Sequence, residues 1–182
     1  MKLSAKEIVK IFLDFFEIVF IASTVFIFVY FFVGQLLRVT GDSMYPTFID
    51  GEQIIAEKIS IKFKNLQRGE ILIFKHPQNE NRLLIKRVIA LPGESLNLIN
   101  GKVFIDGVEL LEPYLQPNVK TYGLKTIADN TDFEVPADSY VLMGDNREQS
   151  ADSREFGPIS KTMIVGRAFL VFYPFDSIRG IK

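Results

Sequence analysis

The chain has no cysteine among its 182 residues, and this absence removes several kinds of chemistry at once. Disulfide bonds, metal sites built on thiolates and a cysteine nucleophile are all excluded. An excess of charge of one sign is also lacking, because 21 Lys and Arg residues face 22 Asp and Glu residues and leave a formal net charge of −1. Without a basic field and without a recognisable binding motif, nucleic acid is not an expected partner.

Histidine is nearly absent as well, since His76 is the only one. Any Ser-His-Asp triad would therefore depend on this residue. It lies in the segment K-H-P-Q-N, where a predicted strand opens into a polar turn. A histidine in such a turn usually has no catalytic role, so the triad stands as an alternative to be tested.

The N-terminal part instead contains a long uncharged run, Ile18–Leu37. At 1.5 Å per helical residue, about 20 residues span about 30 Å, the thickness of a bilayer core. Apolar residues on every side of a helix are unusual in a soluble domain, and no A-x-A cleavage site follows. We therefore predict a retained signal anchor rather than a buried helix or a cleavable signal peptide.

The charges that flank this run predict its orientation. Three lysines precede it and a single arginine follows closely, at Lys2, Lys6, Lys10 and Arg38. By the positive-inside rule the N-terminus is expected to be cytoplasmic. The predicted organisation is a cytoplasmic N-terminus and transmembrane anchor over residues 1–38, and an extracytoplasmic domain over residues 39–182.

The remainder of the chain has the pattern of a mainly β protein. Short apolar runs are separated by turn signals, and Asn100-Gly101 and Asp106-Gly107 are strong hairpin signals between such runs. No sustained helical period appears after residue 39. The polar segment Glu112–Asp138, with three prolines, is expected to form an irregular insertion or small subdomain. The predicted strands are Gln53–Lys58, Ile71–Phe74, Arg82–Ala90, Ser95–Ile99, Lys102–Ile105, Val108–Leu110, Tyr140–Met143 and Met163–Tyr173.

Ser43 lies in the segment T-G-D-S-M-Y-P-T, which frames its hydroxyl between a glycine and a proline. Gly41 is suited to a positive φ, and Pro46 favours an extended Tyr45, so a tight turn followed by a short straight segment is expected. This is not the G-x-S-x-G elbow of the α/β-hydrolases, because no glycine stands two places after the serine. On its own, a serine in such a segment is usually part of an ordinary turn.

Lys86 stands in the predicted strand R-L-L-I-K-R-V-I-A, where a period of two places it on one face with Leu84 and Val88. Burial among such neighbours would lower the pKa of its ammonium group from about 10.4 to near 8, and a lysine of this kind is a usable base near neutral pH. The alternative is a strand lysine that pairs with a carboxylate or extends to water.

The segment G-D-N-R-E-Q-S-A-D-S-R, residues 144–154, is rich in charge of both signs. It lacks the glycine of an EF-hand loop, and its two arginines would repel a cation, so no metal is expected. Its carboxylates and guanidinium groups can form a polar brace of charge-assisted pairs, in which Ser150 or Ser153 can hydrogen-bond a buried amine. Taken on its own, the segment is more typical of a solvated charged loop.

Together these segments resemble the successive sequence boxes of bacterial type I signal peptidases. They are T-G-D-S-M-Y-P-T, G-E-I-L-I-F-K-H-P, K-R-V-I-A-L-P-G-E and G-D-N-R-E-Q-S-A-D-S-R, in the order of that family and after an N-terminal anchor. The single anchor and short chain are most similar to the Gram-positive form. The resemblance implies a mainly β fold, in which a transmembrane helix precedes a β-rich catalytic domain of the signal-peptidase type with a small insertion at about residues 112–138.

The resemblance also implies a role for each matching residue. Ser43 would be the nucleophile and Lys86 the general base of a Ser/Lys dyad. Some relatives have an oxyanion-hole serine at the position of Gly41, so here the N–H of Ser43 would carry more of that task. The remaining positions are Ser150, which would orient the lysine; Asp152 and Arg154, a structural ion pair; Arg87 and Asp145, which would support the site; and Met44, at a substrate pocket.

The function implied is a membrane-bound serine endopeptidase that removes signal peptides from exported preproteins on the outer face of the cytoplasmic membrane. It would need no cofactor, would act next to the lipid bilayer, would be monomeric, and would work near the protein-export machinery. Another Ser/Lys self-processing protease is one alternative, although such proteins are soluble and carry a DNA-binding module. A non-catalytic, membrane-anchored peptide-binding protein is the second alternative.

Overall fold

A computed structural model describes residues 5–28 and 34–181 of the chain. It begins with helix α1, Ala5–Phe28, whose apolar side chains are exposed all round. Residues 6–28 of this helix are long and apolar enough to cross a membrane. Its charged residues all lie between Lys6 and Glu17, so the part after Glu17 carries no charge.

The predicted span Ile18–Leu37 is wrong at its C-terminal end. Helix α1 ends at Phe28, and strand β1, Gly34–Arg38, takes up the last residues of the run. Leu36 is exposed whereas Leu37 packs on the core, and this alternation suits a strand rather than a helix. Residues 29–33 of the predicted span lie outside the described residues.

The main sheet has eight strands, and every pair in it is antiparallel. Its members after β1 are β2 (Gln53–Glu57), β3 (Ile71–His76), β4 (Asn79–Ala90), β9 (Ser139–Met143), β10 (Ile159–Ser160), β11 (Ile164–Tyr173) and β12 (Arg179–Gly180). The strand order is β1-β2-β11-β3-β4-β9-β10, and β12 also pairs with β11. Ser43 follows β1 in the chain, and Lys86 lies on β4.

A second sheet of four strands confirms the predicted meander. It consists of β5 (Ser95–Ile99), β6 (Lys102–Ile105), β7 (Val108–Glu109) and β8 (Phe133–Glu134), in the order β7-β6-β5-β8. Both hairpin turns have positive φ at two successive residues, 52° and 81° at Asn100-Gly101 and 49° and 78° at Asp106-Gly107. Asn, Asp and Gly adopt this conformation more readily than other residues, which is why these pairs mark the hairpins.

Helices are short in the β-rich part of the described chain. They are α2 (Ser60–Phe63), α3 (Ser153–Phe156) and 3₁₀ turns at Lys161–Met163 and Phe175–Ser177. The protein is thus mainly β after its N-terminal helix, as predicted. One core cluster lies between the two sheets, and two others lie on opposite faces of the main sheet.

Candidate active site

Ser43 and Lys86 meet in the structure although 43 positions separate them along the chain. The Nζ atom of Lys86 lies 2.6 Å from the Oγ atom of Ser43, as a hydrogen bond donated by the amine. Lys86 is only 2% exposed. It takes part in no salt bridge within residues 5–28 and 34–181. A buried amine next to a serine hydroxyl is the arrangement of a nucleophile with its base.

The main sheet explains how Lys86 comes to be buried. Lys86 is paired with Leu72 across β3 and β4, and both Leu72 and Val88 belong to the same core cluster. Removal of water from the ammonium group lowers the pKa of Lys86 from about 10.5 to about 8, and Asp152 and Asp145 counteract part of this effect. The value agrees with the expectation from the strand pattern.

The turn that carries Ser43 differs from its predicted shape after the serine. Gly41 has the expected positive φ of 82°. The straight segment predicted around Tyr45 is wrong, since the N–H of Tyr45 donates to Asp42 and that of Phe48 donates to Met44, which closes successive turns. Met44 and Phe48 are both buried, so core packing holds these turns in place.

The loop after β9 holds the backbone of the serine turn. The backbone N–H of Asn146 donates to the carbonyl of Ser43 at 3.1 Å, and the amide side chain of Asn146 donates to the carbonyl of Asp42 at 3.1 Å. A side chain at Gly144 would collide with Ser150 and with the carbonyl oxygen of Ser43. Only glycine therefore lets this loop approach the nucleophile.

The backbone N–H of Ser43 is free to bind an oxyanion at this turn. The N–H of Ser43 donates no hydrogen bond within the described part of the chain. By contrast, the N–H of Gly41 is bound to Oδ1 of Asp50 at 2.7 Å. The Ser43 N–H is thus available for the larger part in oxyanion binding that the resemblance implies for it.

Arg87 and Asp145 form a buried bidentate pair beside the site. The Nε–Oδ1 and NH2–Oδ2 distances are 2.8 and 2.6 Å, and the hydroxyl of Thr47 also donates to Asp145. A further bond of 2.8 Å runs from Arg87 to the carbonyl of Gly69. The pair thus connects β4, the serine turn and the loop after β9. These contacts suit the supporting role that the resemblance implies for both residues.

Asp152 and Arg154 form a second buried pair, with two contacts of 2.9 Å. Burial alone would raise the pKa of Asp152, but the hydrogen bonds and charge of Arg154 and the N–H of Gly144 lower it overall. The hydroxyl of Ser150 is buried without a hydrogen-bond partner among the described residues, although it lies close enough to Asp152 to help lower that pKa.

Several contacts in the segment 112–138 were not predicted. Glu112 forms a buried ion pair with Arg147, and the ring of Tyr114 stacks 4.0 Å from the guanidinium of Arg87. The backbone N–H groups of Thr126 and Ile127 donate to the carbonyl of Arg154. Apart from β8 the segment has little regular secondary structure, and it packs directly on Arg87, Arg147 and Arg154.

A cleft of about 550 Å³ opens onto the dyad. One wall is formed by the end of β1 and the serine turn, residues 37–43, and the other by residues 82–86 of β4. Ile54 and Ile73 contribute to its apolar lining. Met44, which the resemblance implies at a substrate pocket, is not among the lining residues; it is buried in the core cluster that also contains Ile54 and Ile73.

The histidine alternative does not fit this geometry. The His76 ring stacks on Phe156 with 5.4 Å between ring centres, and its Nδ1 accepts the N–H of Gln78 at 3.0 Å. His76 is not among the residues that line the cleft. Within residues 5–28 and 34–181, no group of three or more His, Asp and Glu side chains is placed to hold a metal ion.

The buried amine of Lys86 and the hydroxyl of Ser43 thus form a pair that could act as base and nucleophile. Residues 12–173 match the family model described as signal peptidase, peptidase S26, and the chain belongs to this family. It is similar to signal peptidase I P of Bacillus subtilis subsp. natto, with 37% identity over 155 residues that cover 83% of each chain. It is also similar to signal peptidase I T of Bacillus subtilis strain 168, with 33% identity over 98% of this chain and 94% of the relative.

Among solved structures, a signal peptidase I from Enterococcus faecalis V583 shares 30% sequence identity with this chain. The alignment covers 57% of this chain and 97% of that structure, with a TM-score of 0.46.

Proposed function

We propose that this protein is a membrane-anchored serine endopeptidase that cleaves signal peptides from exported preproteins through a Ser43/Lys86 dyad. The observation that carries the assignment of the dyad is the 2.6 Å contact between Lys86 Nζ and Ser43 Oγ, made by an amine that is 2% exposed. Membership of the signal peptidase family supports the substrate class.

The proposed reaction has two halves. Neutral Lys86 takes the proton of the Ser43 hydroxyl while Oγ attacks the scissile carbonyl carbon, and the backbone N–H of Ser43 stabilises the oxyanion. The ammonium of Lys86 then returns this proton to the leaving amine, which departs as the new N-terminus of the mature protein. In the second half Lys86 takes a proton from water, the hydroxide attacks the acyl-enzyme, and Ser43 is released with its proton restored.

The supporting residues keep this geometry in the proposed mechanism. Ser150 is buried beside the dyad with an unpaired hydroxyl, which suits a contact with the neutral amine during turnover. The Arg87–Asp145 and Asp152–Arg154 pairs fix the loops on either side. Met44 packs against the residues that form the apolar wall of the cleft, so it shapes the substrate pocket from behind.

The walls of the cleft suit an extended peptide. β1 pairs only with β2 among the described strands, and β4 pairs with β9 only over Arg87–Ala90. Both strands therefore present unpaired backbone groups to the cleft. A substrate strand could hydrogen-bond to these groups and direct alternate side chains into the apolar lining.

Cleavage of a purified preprotein tests the proposal. The full chain in detergent micelles should cut a signal-peptide-bearing preprotein at its signal junction, as measured by the mass of the mature product, and Ser43→Ala should not. An acylating probe should label Ser43 in the unmodified protein. Failure of both tests would favour the non-catalytic binding protein, whereas cleavage of the chain itself alone would favour the self-processing protease.

The proposed setting is a monomer held in the bilayer by α1, close to the export machinery, with a cytoplasmic N-terminus and an extracytoplasmic catalytic part. Lysines near the start of α1 support this orientation. Asn100 lies at an exposed hairpin of the second sheet, and the chain has no native cysteine. A membrane-impermeant maleimide should therefore label Asn100→Cys in intact cells; labelling only after lysis would reverse the orientation.

A further inference from the structure

The segment of residues 58–65, here called the basic loop, has the sequence K-I-S-I-K-F-K-N, and none of its residues lines the cleft at the dyad. It carries three lysines, and no acidic residue occurs between Lys58 and Gly69. None of these lysines takes part in a salt bridge within the described part of the chain. The loop therefore presents three lysines that are not paired with carboxylates.

The same loop exposes apolar side chains between its lysines. Phe63 is 82% exposed and Ile59 is 44% exposed. The backbone that presents them is ordered by hydrogen bonds, because Glu57 accepts the N–H groups of Ile59 and Ser60, and Lys64 donates to the carbonyl of Ser60 at 2.8 Å. An ordered loop that holds an aromatic ring in water between lysines resembles the polar and apolar mixture of peripheral membrane anchors.

The topology places the basic loop next to the membrane anchor. The loop follows Glu57 at the end of β2, and the Cα partner of Glu57 is Gly34, the first residue of β1. Gly34 is only six residues beyond Phe28, the last residue of α1. Six residues reach at most about 20 Å, so the basic loop starts beside the point where the chain arrives from the anchor.

A groove adjoins the basic loop on the side away from β1. It has a volume of about 440 Å³ and lies between the loop and the 3₁₀ turn at Lys161–Met163. Lys58, Lys62 and Lys161 line it together with Ile61, Leu66 and Ile164. Amines around an apolar floor match the phosphate and the upper acyl region of an anionic lipid.

We propose that the basic loop is a second membrane contact of this protein, with Phe63 and Ile59 in the interfacial region and the lysines on the phosphates of anionic phospholipids. The occupant follows from the charge of the loop and from its continuity with the anchor. The contact would fix the orientation of the β-rich part relative to the bilayer surface. This membrane contact is independent of the proposed peptidase activity.

A dye attached to a single cysteine tests the proposal in the full chain. Phe63→Cys and the control Leu111→Cys replace apolar residues of nearly equal exposure, 82% and 83%, in a chain without native cysteine. The labelled proteins are reconstituted into phosphatidylcholine vesicles that contain phosphatidylglycerol and a lipid-borne quencher. We expect quenching at position 63 to exceed that at position 111 by about threefold or more.

The charge component is tested on the Phe63→Cys background. The double change Lys62→Glu with Lys64→Glu should reduce the quenching at least about twofold, as should vesicles of phosphatidylcholine alone. The double change Lys120→Glu with Lys125→Glu, on two exposed lysines of the segment 112–138, alters the net charge equally; it is the matched control and should change nothing. Equal quenching at positions 63 and 111 would overturn the membrane contact and indicate another partner, such as an acidic protein. If quenching at position 63 depends neither on the charge of the lipids nor on the lysine substitutions, the proposed role of the lysines is wrong.

Discussion

Two lysines on neighbouring strands of the main sheet have opposite surroundings. The side chain of Lys75 on β3 is 45% exposed and pairs with Glu80 at 3.1 Å. Lys86 on β4 is 2% exposed and contacts Ser43 instead of a carboxylate. Water and a counter-ion stabilise the charge of the first lysine, whereas burial destabilises the charge of the second. Position in the sheet, rather than residue type, makes one of them a candidate base.

The strongest test of this difference removes each amine in turn. Lys86→Ala should lower kcat on a signal-peptide substrate by about 10⁴-fold or more, while the fold stays intact by circular dichroism. Lys75→Ala should change kcat by less than about threefold. Combining Lys86→Ala with Ser43→Ala should cost little beyond either change, because the two residues act as a unit. Substantial activity in Lys86→Ala would disprove the assignment of the base.

The pH dependence of the unmodified enzyme sharpens the same point. Only the neutral amine of Lys86 can accept a proton, and its pKa is lowered to about 8. The rate at low substrate concentration should therefore rise with pH along a limb centred near 8. A limb near the ordinary pKa of lysine would mean that Lys86 is not desolvated in solution.

The ion pairs show the same contrast between a buried and an exposed environment. In the Arg87–Asp145 pair the side chains are 5% and 0% exposed, whereas in the Lys102–Glu109 pair they are 58% and 42% exposed. Asp145→Ala would leave a guanidinium buried without its partner and should lower the free energy of unfolding by about 3–5 kcal/mol. Glu109→Ala should change it by less than about 1 kcal/mol. Urea unfolding in detergent micelles measures both, and similar values for the two variants would contradict this view.

Burial of Lys86 should also carry a cost in stability that depends on pH. Its pKa in the folded protein, about 8, lies below the value of about 10.5 expected for the unfolded chain. The unfolded state therefore binds more protons between these values, and the folded state regains stability as the pH rises from 8 to 10.5. Below pH 8 the full penalty applies, at most about 3 kcal/mol.

Lys86→Met removes this penalty and keeps the length of the side chain. At pH 7 the variant should be more stable than the unmodified protein by about 1–3 kcal/mol, after the loss of the bond to Ser43 is allowed for. The gain should shrink towards pH 10.5, as measured by thermal unfolding across the pH range. Lys75→Met is the matched control and should show no such trend. A gain that does not vary with pH would point to packing rather than to charge.

Much of the sheet could be predicted from local signals, because hairpins depend on a few adjacent residues. The pairs Asn100-Gly101 and Asp106-Gly107 are examples, since a positive φ at both positions suits few other residues. Lys86 could be singled out because the alternation of β4 places it among aliphatic neighbours. Its meeting with Ser43 was implied only by the family resemblance, since no local signal joins positions 43 residues apart.

Other features have no local signal at all. The contacts of Glu112 with Arg147 and of Tyr114 with Arg87 join residues that are distant in the chain, and the composition of the segment 112–138 indicates only a polar loop. The end of α1 was misplaced because hydropathy does not distinguish a membrane helix from the apolar, paired strand that follows it. The alternation of Leu36 and Leu37 becomes meaningful only once β2 is known to lie beside them.

The smallest expected effect concerns His76, the last residue of β3, where this strand pairs with the start of β4. Its ring rests on Phe156, its Nδ1 accepts a local backbone N–H, and it does not line the cleft. His76→Ala should therefore change kcat/KM by less than about threefold, or less than about 0.7 kcal/mol of barrier. Because Phe156 loses a neighbour, a small loss of stability is expected, and His76→Phe should restore it without any change in rate. If His76→Ala folded normally but lost activity, a histidine-based mechanism would replace the lysine-based one, and Lys86 would no longer be the candidate base.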